Sequence, residues 1–200
     1  MYKRLFIAIK YVPDEQFISS YRSIQMQVNT YATIKWVPSH QLHLTLCFLG
    51  NTHELLVKPI ERAIKEVCLY QQRFEAQIEQ LNIFMHRQQP RVLWMGLHPV
   101  DNFLQLHLQL TRSLIRELTR HKDTCEVPLV EVNHHFVPHL TLGRFKVAHR
   151  LNALQACLNS HAQQSFGSWW VKEVILYESI LSPSGPTYRP LVMENLRVVS

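Results

Sequence analysis

The sequence predicts an α+β protein of two lobes related by a pseudo-twofold duplication, with two antiparallel sheets facing a central cleft and helices packed outside. Three observations predict it. Apolar residues alternate at period two in some segments and recur at helical spacing in others, the two kinds following each other along the whole chain. The tetrapeptide His43-Leu44-Thr45-Leu46 returns unchanged as His139-Leu140-Thr141-Leu142, 96 residues later. Spacing around the two copies also matches: Phe74 lies 31 residues after the first histidine and Trp170 31 after the second, while Arg91 lies 48 after the first and Arg189 50 after the second. One His-x-Thr-x is ordinary by chance, but two identical copies at matched places in matched halves indicate an internal repeat. The 200 residues are read as one domain, 1–200, of two interleaved lobes.

Taken in order, Leu5 to Ile9 reads as a first strand. From Pro13 to Asn29 the residues Phe17, Tyr21, Ile24 and Val28 fall at helical spacing, with Pro13, Asp14 and Glu15 suited to a first turn. A short extended piece, Ile34 to Val37, precedes Pro38, and Leu42 to Leu49 alternates up to a stop at Gly50. Thr52 is placed to cap the next helix, whose face is Leu56, Ile60, Ala63, Ile64 and Val67. Phe74 to Phe84 and Arg91 to Leu97 read as strands joined by a polar stretch, His86 to Pro90. In the second half a helix runs from about Asn102 to His121 on Phe103, Leu106, Leu110, Leu114 and Leu118, followed by a strand from Phe136 to Phe145. A helix on Leu151, Leu154 and Leu158 comes next, then strands Trp169 to Leu181 and Tyr188 to Leu196, parted by the turn cluster Ser182-Pro183-Ser184-Gly185-Pro186.

Composition removes several classes of function. Hydrophobic residues at 46% and charged residues at 18% describe a globular chain. Only five glycines are present, and none are spaced for the dinucleotide or P-loop fingerprints. No apolar run reaches the roughly 18 residues that span a bilayer, and the five apolar residues between Arg4 and Lys10 are too few for a signal peptide. Cys47, Cys68, Cys125 and Cys157 form no C-x-x-C pair and read as buried free thiols of a reducing compartment, hence a cytoplasmic protein. A net charge of +6 favours polyanionic partners such as nucleic acid.

The paired motif carries the chemistry. Residues two apart in a strand share a face. Leu44 and Leu46, like Leu140 and Leu142, point to the core, and His43 with Thr45, like His139 with Thr141, points away from it. Around a pseudo-twofold axis, two imidazoles and two hydroxyls converge on one cleft. Such a set suits a phosphodiester: one neutral imidazole takes a proton from the attacking oxygen, and a protonated one gives a proton to the departing oxygen. The threonines donate hydrogen bonds to non-bridging phosphate oxygens, where charge is held. Acid, base and anion stabilisers are all side chains, so the reading needs no metal and no cofactor. Internal symmetry alone does not say which histidine is the acid.

At these residues the sequence resembles the two-histidine (2H) phosphoesterases, and within them the bacterial and archaeal RNA 2′,3′-cyclic phosphodiesterases, also called 2′-5′ RNA ligases. The resemblance extends to Arg4-Leu5-Phe6-Ile7-Ala8, Trp36-Val37-Pro38, Pro90-Arg91-Val92-Leu93-Trp94, Phe136-Val137-Pro138 and Leu181-Ser182-Pro183-Ser184-Gly185-Pro186-Thr187-Tyr188, nearly the whole chain. It implies a bilobal α+β fold and hydrolysis of RNA 2′,3′-cyclic phosphate ends, tRNA fragments among them, to 2′-phosphomonoesters. It makes His43 the proton donor to O3′ and His139 the acceptor that activates water. The same machinery run backwards joins RNA through a 2′-5′ bond. The expected protein is a monomer that needs no membrane.

Five residues after each histidine stand Phe48 and Arg144, a ring and a guanidinium plane suited to stacking on the terminal base. Arg144 could instead pair with phosphate. Strict alternation sends both to the core face, unless Gly143 permits a bulge that redirects Arg144. His134 and His135 either line the cleft or sit in the loop before the second motif. Lys3, Arg4, Arg87, Arg91, Arg144, Lys146, Arg150 and Arg189 could form a positive rim. Two other readings compete with the RNA phosphodiesterase. One is a catalytically silent RNA-binding module, and the other a related enzyme acting on another cyclic phosphate or a 2′-5′ oligonucleotide. A metal-dependent hydrolase is disfavoured, since no carboxylate or cysteine stands at ligand spacing to the motifs.

Overall fold

A computed structural model describes residues 1–183 and 185–198. Among these described residues, nine strands form two sheets in which all neighbours are antiparallel. The strands are β1 (Tyr2–Lys10), β2 (Ala32–Trp36), β3 (His43–His53), β4 (Phe74–His86), β5 (Gln89–His98), β6 (His139–Ala148), β7 (Ser165–Val171), β8 (Glu173–Ser182) and β9 (Gly185–Asn195). One sheet runs β3-β1-β8-β9 and the other β2-β6-β5-β4-β7. Each sheet therefore takes strands from both halves of the sequence. The first motif opens β3, at the edge of its sheet, and the second opens β6; the two strands lie against each other across the gap between the sheets.

The helices are α1 (Glu15–Asn29), α2 (Val57–Tyr70), α3 (Val100–Thr119) and α4 (Leu151–Asn159). α1 starts where Asp14 accepts the Phe17 N–H at 2.7 Å, and it buries Phe17, Tyr21, Ile24 and Val28. α1 packs on β2 and β7, α2 on β8 and β9, and α3 touches both β3 and β5. α2 and α3 are further joined by Arg62 to Glu117 at 3.0 Å and by Ser113 to Glu66 at 2.7 Å. One large apolar core runs between the sheets and helices, with Leu5, Ile7 and Ile9 of β1 fully enclosed. The alternate residues Phe6 and Ala8 face the other way. With Ile175 and Tyr177 they form a second small cluster, against which Tyr188 packs.

Four expectations need correction. Thr52 caps no helix: its hydroxyl is buried and donates to the Gly50 carbonyl at 3.2 Å, while His53 accepts the Leu55 N–H. Gly50 does not end β3; at φ +64° it is carried within the strand, which continues to His53. Trp169 to Leu181 is two strands, because the chain leaves one sheet at Val171 and enters the other at Glu173. Of the four free cysteines only Cys47 and Cys68 are buried, Cys125 and Cys157 being half-buried. In the turn cluster before β9, Ser184 lies outside the described residues.

Candidate active site

The two motif strands are shaped alike. Along β3, Leu44 and Leu46 are buried, His43 and Thr45 are half-buried, and the same holds for Leu140, Leu142, His139 and Thr141 of β6. Then each strand slips. β3 pairs Thr45 with Ala8 and Cys47 with Ile7, leaving Leu46 as an extra residue. β6 pairs Thr141 with Trp94 and Gly143 with Leu93, leaving Leu142 extra. A bulge of this kind reverses the alternation beyond it. Phe48 and Arg144 consequently turn out to the exposed motif face, Phe48 at 52% exposure, in place of the core face that unbroken alternation would give.

Gly143 serves the packing of β2 more than the bulge itself. A Cβ on it would stand 2.4 Å from Ile34 Cγ2 and 3.1 Å from the Lys35 carbonyl. Each bulge is also held by a polar side chain from a helix. Tyr21 of α1 donates to the Leu142 carbonyl at 2.9 Å and to that of Val37 at 2.7 Å. His107 of α3 donates from Nδ1 to the Leu46 carbonyl at 2.8 Å and stacks on Phe136 at 4.3 Å between centroids.

Both catalytic candidates are oriented in the same way. His43 Nδ1 donates to the carbonyl of Gln41 at 2.7 Å, and His139 Nδ1 to that of Val137 at 2.8 Å. In each case the carbonyl, two residues back, fixes the tautomer and leaves Nε2 for chemistry. Aromatic rings flank each imidazole. Phe6 and Tyr188 stand at 5.2 Å from His43, while Phe84 and Trp94 stand at 4.9 and 5.8 Å from His139. Burial pushes both histidines below their ordinary pKa, and the carbonyl bonds oppose this. A charge on His139 lowers His43 further, and the Arg144 guanidinium lowers His139. Both Arg144 and Arg4 act on Tyr188, whose hydroxyl burial pushes up, so charges from the two sheets reach one space.

On the first sheet this face has a definite order. The β1–β3 register sets Phe6 opposite Phe48, Ala8 opposite Thr45 and Lys10 opposite His43. The Arg4 guanidinium lies over the Phe48 ring at 5.0 Å. Beyond His43 is a pocket of about 280 Å³ walled by Lys10, His40, Glu173, Tyr177, Tyr188 and Met193 among others.

His134 and His135 lie in the turn before β6, both exposed. The supposed rim is partly tied up, since Lys3 and Arg189 both pair with Glu178. Arg91 and Arg189, matched by spacing, occupy different places: Arg91 is on β5 beside the motif strand, Arg189 on the far edge strand β9. Sequence reasoning missed Phe84, Trp94, Lys10 and the two residues that hold the bulges, His107 and Tyr21. Nothing in a period-two or period-3.6 pattern distinguishes a helix residue that reaches a bulge carbonyl from plain core. No three His, Cys, Asp or Glu side chains gather as a metal-binding group among the described residues. No helix among them is long and apolar enough to cross a membrane.

Two bulged strands that present matched His-Thr pairs from two sheets form the candidate site, and the fold around them is that of the two-histidine phosphoesterases. The chain belongs to the 2′-5′ RNA ligase superfamily, whose family model matches residues 12–180. Among its relatives, the RNA 2′,3′-cyclic phosphodiesterase of Archaeoglobus fulgidus is 30% identical over 190 residues, covering 94% of this chain and 97% of the relative. That of Thermus thermophilus is 30% identical over 195 residues, covering 97% and 90%. The crystal structure of TT0787, a Thermus thermophilus protein, superposes with a TM-score of 0.76 at 29% identity, covering 98% of both chains. Escherichia coli LigT complexed with 3′-AMP, at 22% identity and a TM-score of 0.69 over 98% of both chains, shares the fold.

Proposed function

We propose that the protein is an RNA 2′,3′-cyclic phosphodiesterase that hydrolyses cyclic-phosphate RNA ends to 2′-phosphomonoesters with its two histidines. The observation that carries this reading is the matched orientation of His43 and His139, each held by the carbonyl two residues before it so that Nε2 is left free, within electrostatic reach of the other. Neutral His139 Nε2 takes a proton from water as its oxygen bonds to phosphorus. Protonated His43 Nε2 gives its proton to O3′ as the P–O3′ bond breaks. The assignment of acid to His43 and base to His139 follows the likeness to the superfamily. Thr45 and Thr141 donate their hydroxyls to non-bridging oxygens.

The terminal nucleoside lies between Phe48 and Arg144, ring and guanidinium facing the base. With a 5′-hydroxyl in place of water, the same steps join RNA through a 2′-5′ bond: P–O5′ forms as P–O3′ breaks; hydrolysis dominates because water is abundant. One folded domain, active as a monomer, is enough for this chemistry. The test is incubation with an RNA ending in a 2′,3′-cyclic phosphate and identification of the product by phosphorus NMR. His43→Ala and His139→Ala each lower the rate by about 10²–10⁴-fold, and the double variant is little worse than the worse single one. Release of a 3′-phosphomonoester, or near-normal turnover by either single variant, refutes the scheme.

A further inference from the structure

The pocket beyond His43 has no part in the scheme so far. It shares His43 and Tyr188 with the active site but lies at the far end of the face from Phe48 and Arg4, as the register on β1 requires. Its walls are of mixed chemistry. Tyr177 and Tyr188 offer rings, Met193 a thioether, and Glu173 a carboxylate able to accept from an exocyclic amine. Lys10, directly across from His43, forms no ion pair among the described residues. A volume of about 280 Å³ sits near the lower end of small-ligand sites and suits one nucleoside rather than a folded partner.

We infer that this pocket is a second subsite, which takes the nucleotide preceding the cyclic-phosphate terminus and sets Lys10 on the phosphodiester that links the two. The inference rests on the activity proposed above. There His43 protonates O3′, so the terminal ribose lies on the His43 flank of the phosphorus. Its base goes to Phe48 and Arg144, and its 5′ branch is left to leave past His43 toward Lys10. The preceding base then meets Tyr177 and Met193, where stacking adds binding with little regard to base identity.

The experiment compares adenosine 2′,3′-cyclic phosphate with the adenylyl dinucleotide ending in the same cyclic phosphate, in wild type, Lys10→Ala, Lys10→Arg and Met193→Trp. Met193 is half exposed, so a larger ring there fills the pocket without entering the core. The readout is the ratio of the two kcat/KM values within each protein. In wild type the dinucleotide is favoured at least about fivefold, the least that stacking one base on an aromatic face confers. Lys10→Ala and Met193→Trp each bring the ratio towards one, and Lys10→Arg keeps most of it. In Lys10→Ala the salt dependence for the dinucleotide also weakens by about 0.7 in log–log slope, one phosphate contact on a single strand.

A wild-type ratio of one, or a ratio that survives both variants, overturns the subsite while leaving the phosphodiesterase standing. If Met193→Trp instead cripples the mononucleotide as much as the dinucleotide, the pocket holds the terminal base and the inference falls. Failure of wild type to turn over either substrate would sink the proposed activity itself.

Discussion

Replacing Gly143 by alanine tests whether the second motif strand is shaped by the close approach of β2. The added Cβ would lie 2.4 Å from Ile34 Cγ2, 3.1 Å from the Lys35 carbonyl and 3.4 Å from Trp36 Cα. The side-chain methyl can give way, but the carbonyl and Cα belong to β2 backbone paired to β6, with Lys35 opposite Arg144 and Trp36 opposite Gly143. β2 must therefore move outward. Overpacking of this kind costs about 1–3 kcal/mol, which for a chain of this size lowers Tm by about 2–12 °C. The same shift disturbs Arg144, the next residue, and the Tyr21 hydroxyl that reaches both Val37 and Leu142. Thermal unfolding and kcat/KM on a cyclic-ended RNA measure the two effects. Ile34→Ala removes the nearest atom, so the double variant loses less than the sum of the single losses. An unchanged Tm for Gly143→Ala, with additive double-variant behaviour, would show that β2 does not approach β6 as described.

Other expectations concern the site directly. Because burial lowers both histidines, the kcat/KM–pH profile of the free enzyme peaks on the acid side of an ordinary histidine pKa of about 6.5; an optimum well above neutrality contradicts this. Arg144→Ala removes a cation that disfavours the protonated form of His139. Its pKa rises, and the acid limb, along which the base must lose its proton, moves to higher pH; an unmoved limb separates the two residues. Dialysis against a strong chelator leaves turnover unchanged, and loss restored by a divalent cation would end the side-chain-only scheme. Tyr21→Phe costs kcat/KM in wild type and nothing further once Arg144 is alanine, whereas His107→Phe shows that dependence on Phe48→Ala. Equal losses in every background would make both residues ordinary core.

The repeated tetrapeptide marked the candidate site because its alternation is local. Two leucines at i+1 and i+3 define a core face, and the histidine and threonine must then share the other. The same local rule misjudged Phe48 and Arg144. A bulge is set by what the strand pairs with, and neither Ala8 and Ile7 nor Trp94 and Leu93 are visible from within the motif. The break at Lys172 escaped for a similar reason: Lys172 and Glu173 interrupt an otherwise largely apolar run without a glycine or proline to mark a turn, and only the two sheets decide that it belongs to both. His107 sits at a core position of α3, and its bond to Leu46 spans 61 residues, beyond any periodicity. The helices themselves were legible, since α1, α2 and α3 keep their buried faces at 3.6-residue spacing.

The helix that steadies each motif strand comes from across the chain. α1, early in the sequence, reaches Leu142, and α3, well after the first motif, reaches back to Leu46. Among the described residues β3 is likewise paired only to β1, which in turn needs β8 as its other neighbour. A chain emerging from its N-terminus thus has its first His-Thr pair long before it has the helix and strands that give the pair its shape. Pairing over such separations makes folding slow compared with a chain of local contacts. A fragment ending anywhere between β6 and β8 would carry both motifs and still be without the floor beneath His43, the Tyr177 and Tyr188 rings among it. Activity should therefore arrive late and all at once, with the last hairpin, rather than in two instalments with the two motifs.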